Sequence, residues 1–207
     1  MKKAITENDI LLLIKKGLTE VHLKKNEILT PSAIDRIKQA RLKIIFDVDE
    51  KNHTQFFRKI VIGSDHTGVK IKKILVEYLK NKNYEVVDVG TYTEDSVDYP
   101  DIALNVAQRV ASKEFDCGIL IDATGIPSAI TANKIPGIRA ATCYNEFSAK
   151  SSREHNDANI ISLGAKTLGE ESIKSIIDVW LNSNFLGERH QRRLDKVKAI
   201  EEKFMKS

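Results

Sequence analysis

Apolar positions along this chain follow two rhythms, and the clearer one begins at Lys59. From there short β-branched runs alternate with stretches whose apolar residues recur every three to four positions. That alternation predicts a parallel sheet covered by helices on both faces. The expected strands are Ile60–Gly63, Tyr84–Val89, Cys117–Asp122, Ile138–Cys143 and Asn159–Leu163. Between them fall helices at Val69–Lys80, Pro100–Ala111, Ile126–Lys134 and Glu146–Glu154, followed by Glu170–Leu181 and Arg189–Met205. The fold class is α/β: a parallel five-stranded sheet flanked by helices, a Rossmann-like three-layer sandwich, with a small N-terminal α/β extension. Ligands of such sheets bind beyond the carboxyl ends of the strands. Asp65-His66, Asp122 with its loop and Asp98-Tyr99-Pro100 all fall at that edge or in loops that reach it.

Residues 1–58 read as a separate unit and 59–207 as the main domain. Thr6 can cap a helix with Ile10, Leu13 and Ile14 on one face, stopped by Gly17. Val21–Leu23 is a short strand candidate. Thr30-Pro31 is a cap followed by proline at the first helical position, with Ile34 and Ile37 facing inward before a strand at Leu42–Phe46. The polar run from Asp47 to Arg58 reads as a linker. No internal repeat is visible.

Composition narrows the class. With 33 basic and 29 acidic residues that look mixed along the chain, the net charge of +4 forms no basic patch interleaved with aromatics, which argues against nucleic-acid binding. Cys117 and Cys143 sit in apolar runs without metal-ligand spacing and suggest buried free thiols in a reducing compartment. No apolar run is long enough for a signal peptide or a bilayer span, so the expectation is a cytoplasmic protein without membrane contact.

The segment Asp122-Ala-Thr-Gly-Ile-Pro-Ser-Ala-Ile-Thr-Ala-Asn-Lys134 runs straight off an apolar strand into a helix. Thr124 and Gly125 can turn backbone N–H groups outward at that helix start, where unpaired donors and the dipole favour an anion. Asp122 is placed beside them either as an acid or base or as a cap for the loop amides. Asp65-His66 offers a carboxylate and an imidazole to a polar ligand, or an Asp cap with a half-exposed His. Tyr99 lines a pocket or belongs to the core.

Five separated segments, Gly63-Ser-Asp-His-Thr-Gly68, Asp98-Tyr-Pro100, Ala132-Asn-Lys134, Ser152-Arg-Glu-His-Asn-Asp157 and Gly187-Glu-Arg-His-Gln-Arg-Arg193, resemble the motif set of B-type ribose-5-phosphate isomerases and the related galactose-6-phosphate isomerase subunits. The resemblance spans about residues 59–204. It implies an aldose–ketose isomerase that needs neither metal nor cofactor and passes a proton between carbons 1 and 2 through an enediolate. It implies His155 as the ring-opening acid/base and Asp65, His66, Tyr99, Gly125, Ser128, Asn133 and Asn156 around the sugar. It further implies phosphate binding by Arg189 and Arg193, taken as one turn apart on a helix, usually in a site of the partner subunit. A homodimer, or a tetramer built from it, follows.

The chain departs from the family pattern in the loop. Asp122 stands where many members carry the proton-abstracting cysteine, and Ser128 where others carry a glutamate. A carboxylate held out of water can take the proton, which makes Asp122 the candidate base, with Thr124 beside it as a further catalytic candidate. Pro127 replaces a glycine and removes an amide donor that would face the enediolate oxygen. The alternative is a catalytically lapsed phosphosugar-binding or scaffold protein. Ile5-Thr-Glu, His22-Leu23 and Ile28-Leu-Thr-Pro-Ser-Ala33 resemble a module on enzymes of ethanolamine-type bacterial microcompartments. That resemblance implies docking on a shell or enzyme partner inside such a compartment; simple packing on the main domain is the other reading.

Overall fold

The computed structural model describes residues 3–23, 27–46 and 57–204, so Asp47–Phe56 of the expected linker and Met205 of the expected last helix lie outside the described residues. The chain divides into two compact units, residues 1–54 and 55–207.

The first unit is β1 (Lys3–Ile5), α1 (Glu7–Lys15), β2 (Glu20–Leu23), β3 (Glu27–Leu29), α2 (Pro31–Gln39) and β4 (Lys43–Phe46). Contrary to the repeat-free reading, it is a tandem βαβ repeat. Strand β1 pairs in parallel with β3, and β2 with β4. The backbone bonds recur 24 residues apart: Ile10 N–H to Thr6 O matches Ile34 to Thr30, and Leu18 to Leu13 matches Leu42 to Ile37. Gly17 and Arg41 hold the same positive-φ position after their helices, at 72° and 54°. Thr30 Oγ1 accepts the Ala33 N–H, whereas Asp9 accepts both the N–H and the hydroxyl of Thr6 at 2.8 Å. The core of this unit is small: Ile10, Val21, Ala33 and Ile37, flanked by Leu13, Ile14, Leu29 and Leu42. The excess of positive charge is unevenly placed. Residues 1–58 carry 12 basic and 8 acidic side chains, while residues 59–207 balance at 21 each.

The second unit has one parallel sheet in the order β6-β5-β7-β9-β8, built from β5 (Lys59–Ser64), β6 (Glu85–Asp88), β7 (Cys117–Asp122), β8 (Ala140–Thr142) and β9 (Ile160–Gly164). Helices α3 (Val69–Asn81), α4 (Tyr99–Ala111), α5 (Ile126–Ala132), α6 (Glu146–Asn156) and α7 (Glu170–Leu181) cover it, and α8 (Gln191–Phe204) ends it. Strands β7 and β9 are buried at every position, which is why they read as unbroken apolar runs. Period-two alternation divides the core. Ile60, Ile62, Ile119 and Ile161 face α3, α6 and α7, while Val61, Leu120 and Ile160 face α4 and α5. A Cβ at Gly118 would stand 2.7 Å from Val106, so glycine there lets α4 lie close on the sheet.

Several predicted boundaries shift by one or two residues, and two of the shifts have a direct physical cause. Strand β8 is only three residues long because Arg139 N–H is satisfied by the Asn159 side chain, not by a strand. Helix α8 starts at Gln191, after a turn through Gly187 and Glu188 at positive φ, so Arg189 precedes the helix instead of sharing its face with Arg193.

Candidate active site

At the carboxyl edge of the sheet most polar side chains are already engaged. Asp65 follows β5 and its Oδ1 accepts the N–H and hydroxyl of Thr67 at 2.8 and 2.6 Å, capping the 3₁₀ turn His66–Gly68. Next to it Val97 N–H donates to His66 Nδ1 at 3.4 Å, which leaves Nε2 for a ligand. His66 and Thr67 line a hollow of about 270 Å³ with Lys70, Glu94 and Lys166. Tyr99 opens α4 and is half-exposed, outside the core.

The loop after β7 holds an anion, and the anion is its own. Asp122 is 1% exposed; Oδ1 accepts Thr124 N–H at 2.8 Å and Gly125 N–H at 2.6 Å, while Oδ2 accepts Ser128 N–H at 3.1 Å. The amides expected to greet a ligand are therefore spent on this carboxylate, in the manner of an Asx cap. Gly125 makes the cage possible by adopting φ 79°, with its O accepting from Thr142 Oγ1 at 2.8 Å. Gly164 lets the loop sit on the end of β9, since a Cβ there would lie 2.7 Å from the Thr124 carbonyl. Pro127, inside α5, takes no amide away from the cage. The Thr124 hydroxyl accepts only a 3.3 Å bond from Ile126 N–H and grazes Asp122 at 3.5 Å, so it is free to meet a ligand. Asn133, expected at the sugar, instead pairs both of its amide atoms with the backbone of Ala140, at 2.9 and 2.8 Å, and so splices the end of α5 onto β8.

The remaining predicted residues gather at the other end of the sheet. Helix α6 starts after the carboxyl end of β8 and runs back for 11 residues, about 16 Å. Its last turn is fixed beside Arg139, the residue preceding β8, whose guanidinium bonds Asn156 O, Asp157 O and Asp157 Oδ2. Asp157 Oδ1 takes Arg153 Nη1 at 2.9 Å, and Arg153 is itself buried over Phe57 and Trp180. On this rigid end His155 lies parallel to His190, ring centroids 4.4 Å apart at 4°. Ser151 Oγ lies 3.1 Å from His155 Nδ1. His190 Nε2 faces Arg189 Nε at 3.3 Å, which assigns the ring proton to Nδ1, and that buried atom has no partner among the described residues. Burial first, then the charges of His155, Arg189 and Arg193, holds His190 below the ordinary imidazole range, so it is neutral near pH 7.

Sequence reasoning passed over Lys166, Ser151 and His190. Lys166 lay open to the strand-edge rule, two residues past β9. His190 lay inside the motif Gly187–Arg193 but was not singled out, and Ser151 gave no signal, because only the fold brings α6 to the turn before α8. The candidate residues thus fall in two groups, one at each end of the sheet. Among the described residues no cluster of His, Cys, Asp or Glu is arranged to hold a metal.

A doubly wound α/β unit with an Asp-His turn, a caged loop and an Arg-His end defines a sugar-phosphate isomerase scaffold. The profile of the Ribose/Galactose Isomerase family matches residues 60–197, and the chain belongs to that family. It is 43% identical over 146 residues to ribose-5-phosphate isomerase B of Escherichia coli strain K12, covering 70% of this chain and 98% of that protein. The structure of Clostridium thermocellum ribose-5-phosphate isomerase B superposes with TM-score 0.70 at 50% identity, covering 70% of this chain and 99% of that one. Mycoplasma genitalium ribose-5-phosphate isomerase B with bound ribulose-5-phosphate matches with TM-score 0.67 at 42% identity, over 70% and 96% of the two chains.

Proposed function

We propose that this protein interconverts ribose 5-phosphate and ribulose 5-phosphate in a site shared by two protomers. The carrying observation is the separation of the half-sites: the candidate base lies at one end of the sheet and the ring-opening histidine and phosphate arginines at the other. A two-fold pair of chains brings one end of each protomer against the opposite end of its partner and closes two sites. Arg189, Arg193 and the unpartnered His190 Nδ1–H take the phosphate. Asp65, His66, Tyr99, Gly125, Ser128 and Asn156 surround the sugar, with Thr124 Oγ1 donating to the developing enediolate oxygen.

In this reading Asp122 removes the carbon-2 proton through Oδ2, the oxygen that keeps a lone pair after binding Ser128. The enediolate is reprotonated on carbon 1, and the carbon-2 hydroxyl proton passes to the oxygen on carbon 1, which leaves a carbonyl at carbon 2 and gives the ketose. Incubation with ribose 5-phosphate in deuterium oxide tests it. Ribulose 5-phosphate labelled at carbon 1 supports the reaction; binding without exchange would return the lapsed-scaffold reading.

The surface suits a second copy. Ile138, Ala140, Ala141, Leu194, Val197 and Ile200 line an apolar groove of about 500 Å³ between the edge strand β8 and α8. Helix α8 buries none of its residues, and Val197 and Ile200 are more than half exposed. Contact with a partner chain would cover this stripe. The N-terminal repeat we read as a docking module for an acidic partner, such as a compartment shell or a companion enzyme, since the whole excess of positive charge lies in residues 1–58.

A further inference from the structure

Ser151 has no obvious structural task. Ser152, its neighbour on α6, faces the core, donates back to Ala149 O at 2.8 Å and accepts from Trp180 Nε1. Ser183 likewise donates to Val179 O, the ordinary use of a hydroxyl at the end of a helix. Ser151 instead reaches forward one turn to His155 Nδ1 at 3.1 Å, its one hydrogen bond among the described residues. On the ring face His190 stacks at 4.4 Å and is buried, so it cannot move aside. His155 is thus held in its plane by a hydroxyl and across its plane by a second imidazole. Asn156 and Asp157 follow on a helix end locked by Arg139 and Arg153.

We propose that Ser151 is a positioning residue that accepts a hydrogen bond from His155 Nδ1–H and so presents Nε2, unprotonated, to the sugar. This rests on the reading of His155 as the ring-opening group. Nε2 takes the proton from the anomeric hydroxyl, the bond from carbon 1 to the ring oxygen breaks as the carbonyl forms, and Nε2 returns the proton to that oxygen. Protons and electron pairs balance with no further reactant. The imidazolium formed in between keeps its Nδ1–H on Ser151. Without Ser151 the ring is free to turn and to place its proton on Nε2, the wrong nitrogen for the first transfer.

The ketose supplies the test, because ribulose 5-phosphate has its carbon-5 oxygen blocked and cannot close a five-membered ring. Proton exchange at its carbon 1 reports enediolate chemistry alone, whereas turnover of ribose 5-phosphate also needs ring opening. In Ser151→Ala the ratio of ribose 5-phosphate turnover to ribulose 5-phosphate exchange falls on the order of tenfold, as expected for loss of an orienting hydrogen bond. Ser151→Thr restores it. Nitrogen-15 spectra of the full-length wild type show His155 protonated on Nδ1, and Ser151→Ala shifts that signal. An unchanged ratio and unchanged nitrogen shifts in Ser151→Ala overturn the proposal while His155→Asn still lowers the ratio. A ratio untouched by His155→Asn overturns the ring-opening reading and this proposal with it.

Discussion

The two ends of the sheet handle polarity in opposite ways. At the carboxyl edge Asp65 and Asp122 spend their oxygens on nearby N–H and O–H groups, and the anion-binding amides of the loop are filled from within. At the α6–α8 end Arg189 and Arg193 are exposed and His190 keeps an unsatisfied buried N–H. The first end is organised by its own hydrogen bonds; the second carries exposed charge. A buried donor without a partner is costly, and a structure tolerates it where a ligand makes the bond. In the proposed reading, proton transfer falls to the caged end and phosphate capture to the open one.

The largest expected effect breaks the caged end. Asp122→Asn should cost about 10²–10⁴ in isomerisation rate, the range for a general base, with the Michaelis constant little changed. A rate within threefold of wild type would remove Asp122 as the base. Next is the apolar stripe on α8. Val197→Glu with Ile200→Glu should give monomers by sedimentation and abolish turnover while circular dichroism stays native; active monomers would refute a shared site. At the open end Arg193→Ala should raise the Michaelis constant about 10–100-fold with smaller loss in kcat, the loss of one charge-assisted phosphate bond.

Smaller effects come from titration. Because folding holds His190 below its ordinary value, the unfolded chain binds that proton first as pH falls through about 6.5, so the stability of the main domain declines there. His190→Gln should flatten that decline in melting temperature between pH 7 and 5.5. Thr6 N–H and hydroxyl bonds lower the Asp9 carboxyl in the extension. Its stabilisation is therefore present above the ordinary carboxylate range and lost as pH drops through the lower folded value. Asp9→Ala should loosen residues 3–46 in hydrogen exchange and leave kinetics unchanged.

Much of the main fold was legible because β5, β7 and β9 are buried on both faces and appear as β-branched runs that no helix period fits. Strands β1 and β3 escaped since three residues carry no period. The repeat escaped because few positions agree 24 residues apart, among them Thr6 with Thr30, Ile10 with Ile34 and Leu18 with Leu42. Motifs named candidate site residues but not the end of the sheet each would occupy, which depends on helix direction. The caging of Asp122 was readable only as one of two options, because an Asp before Thr-Gly suits both capping and catalysis.

Mixing two inactive variants measures the shared site most directly. Asp122→Asn and His155→Asn, each inactive alone, are denatured, mixed in equal amounts and refolded together. Statistical pairing puts one intact site in half of the dimers, so activity should return to about a quarter of wild type. A mixture no more active than its parents would show that base and ring-opening histidine act within one chain, and would contradict the account.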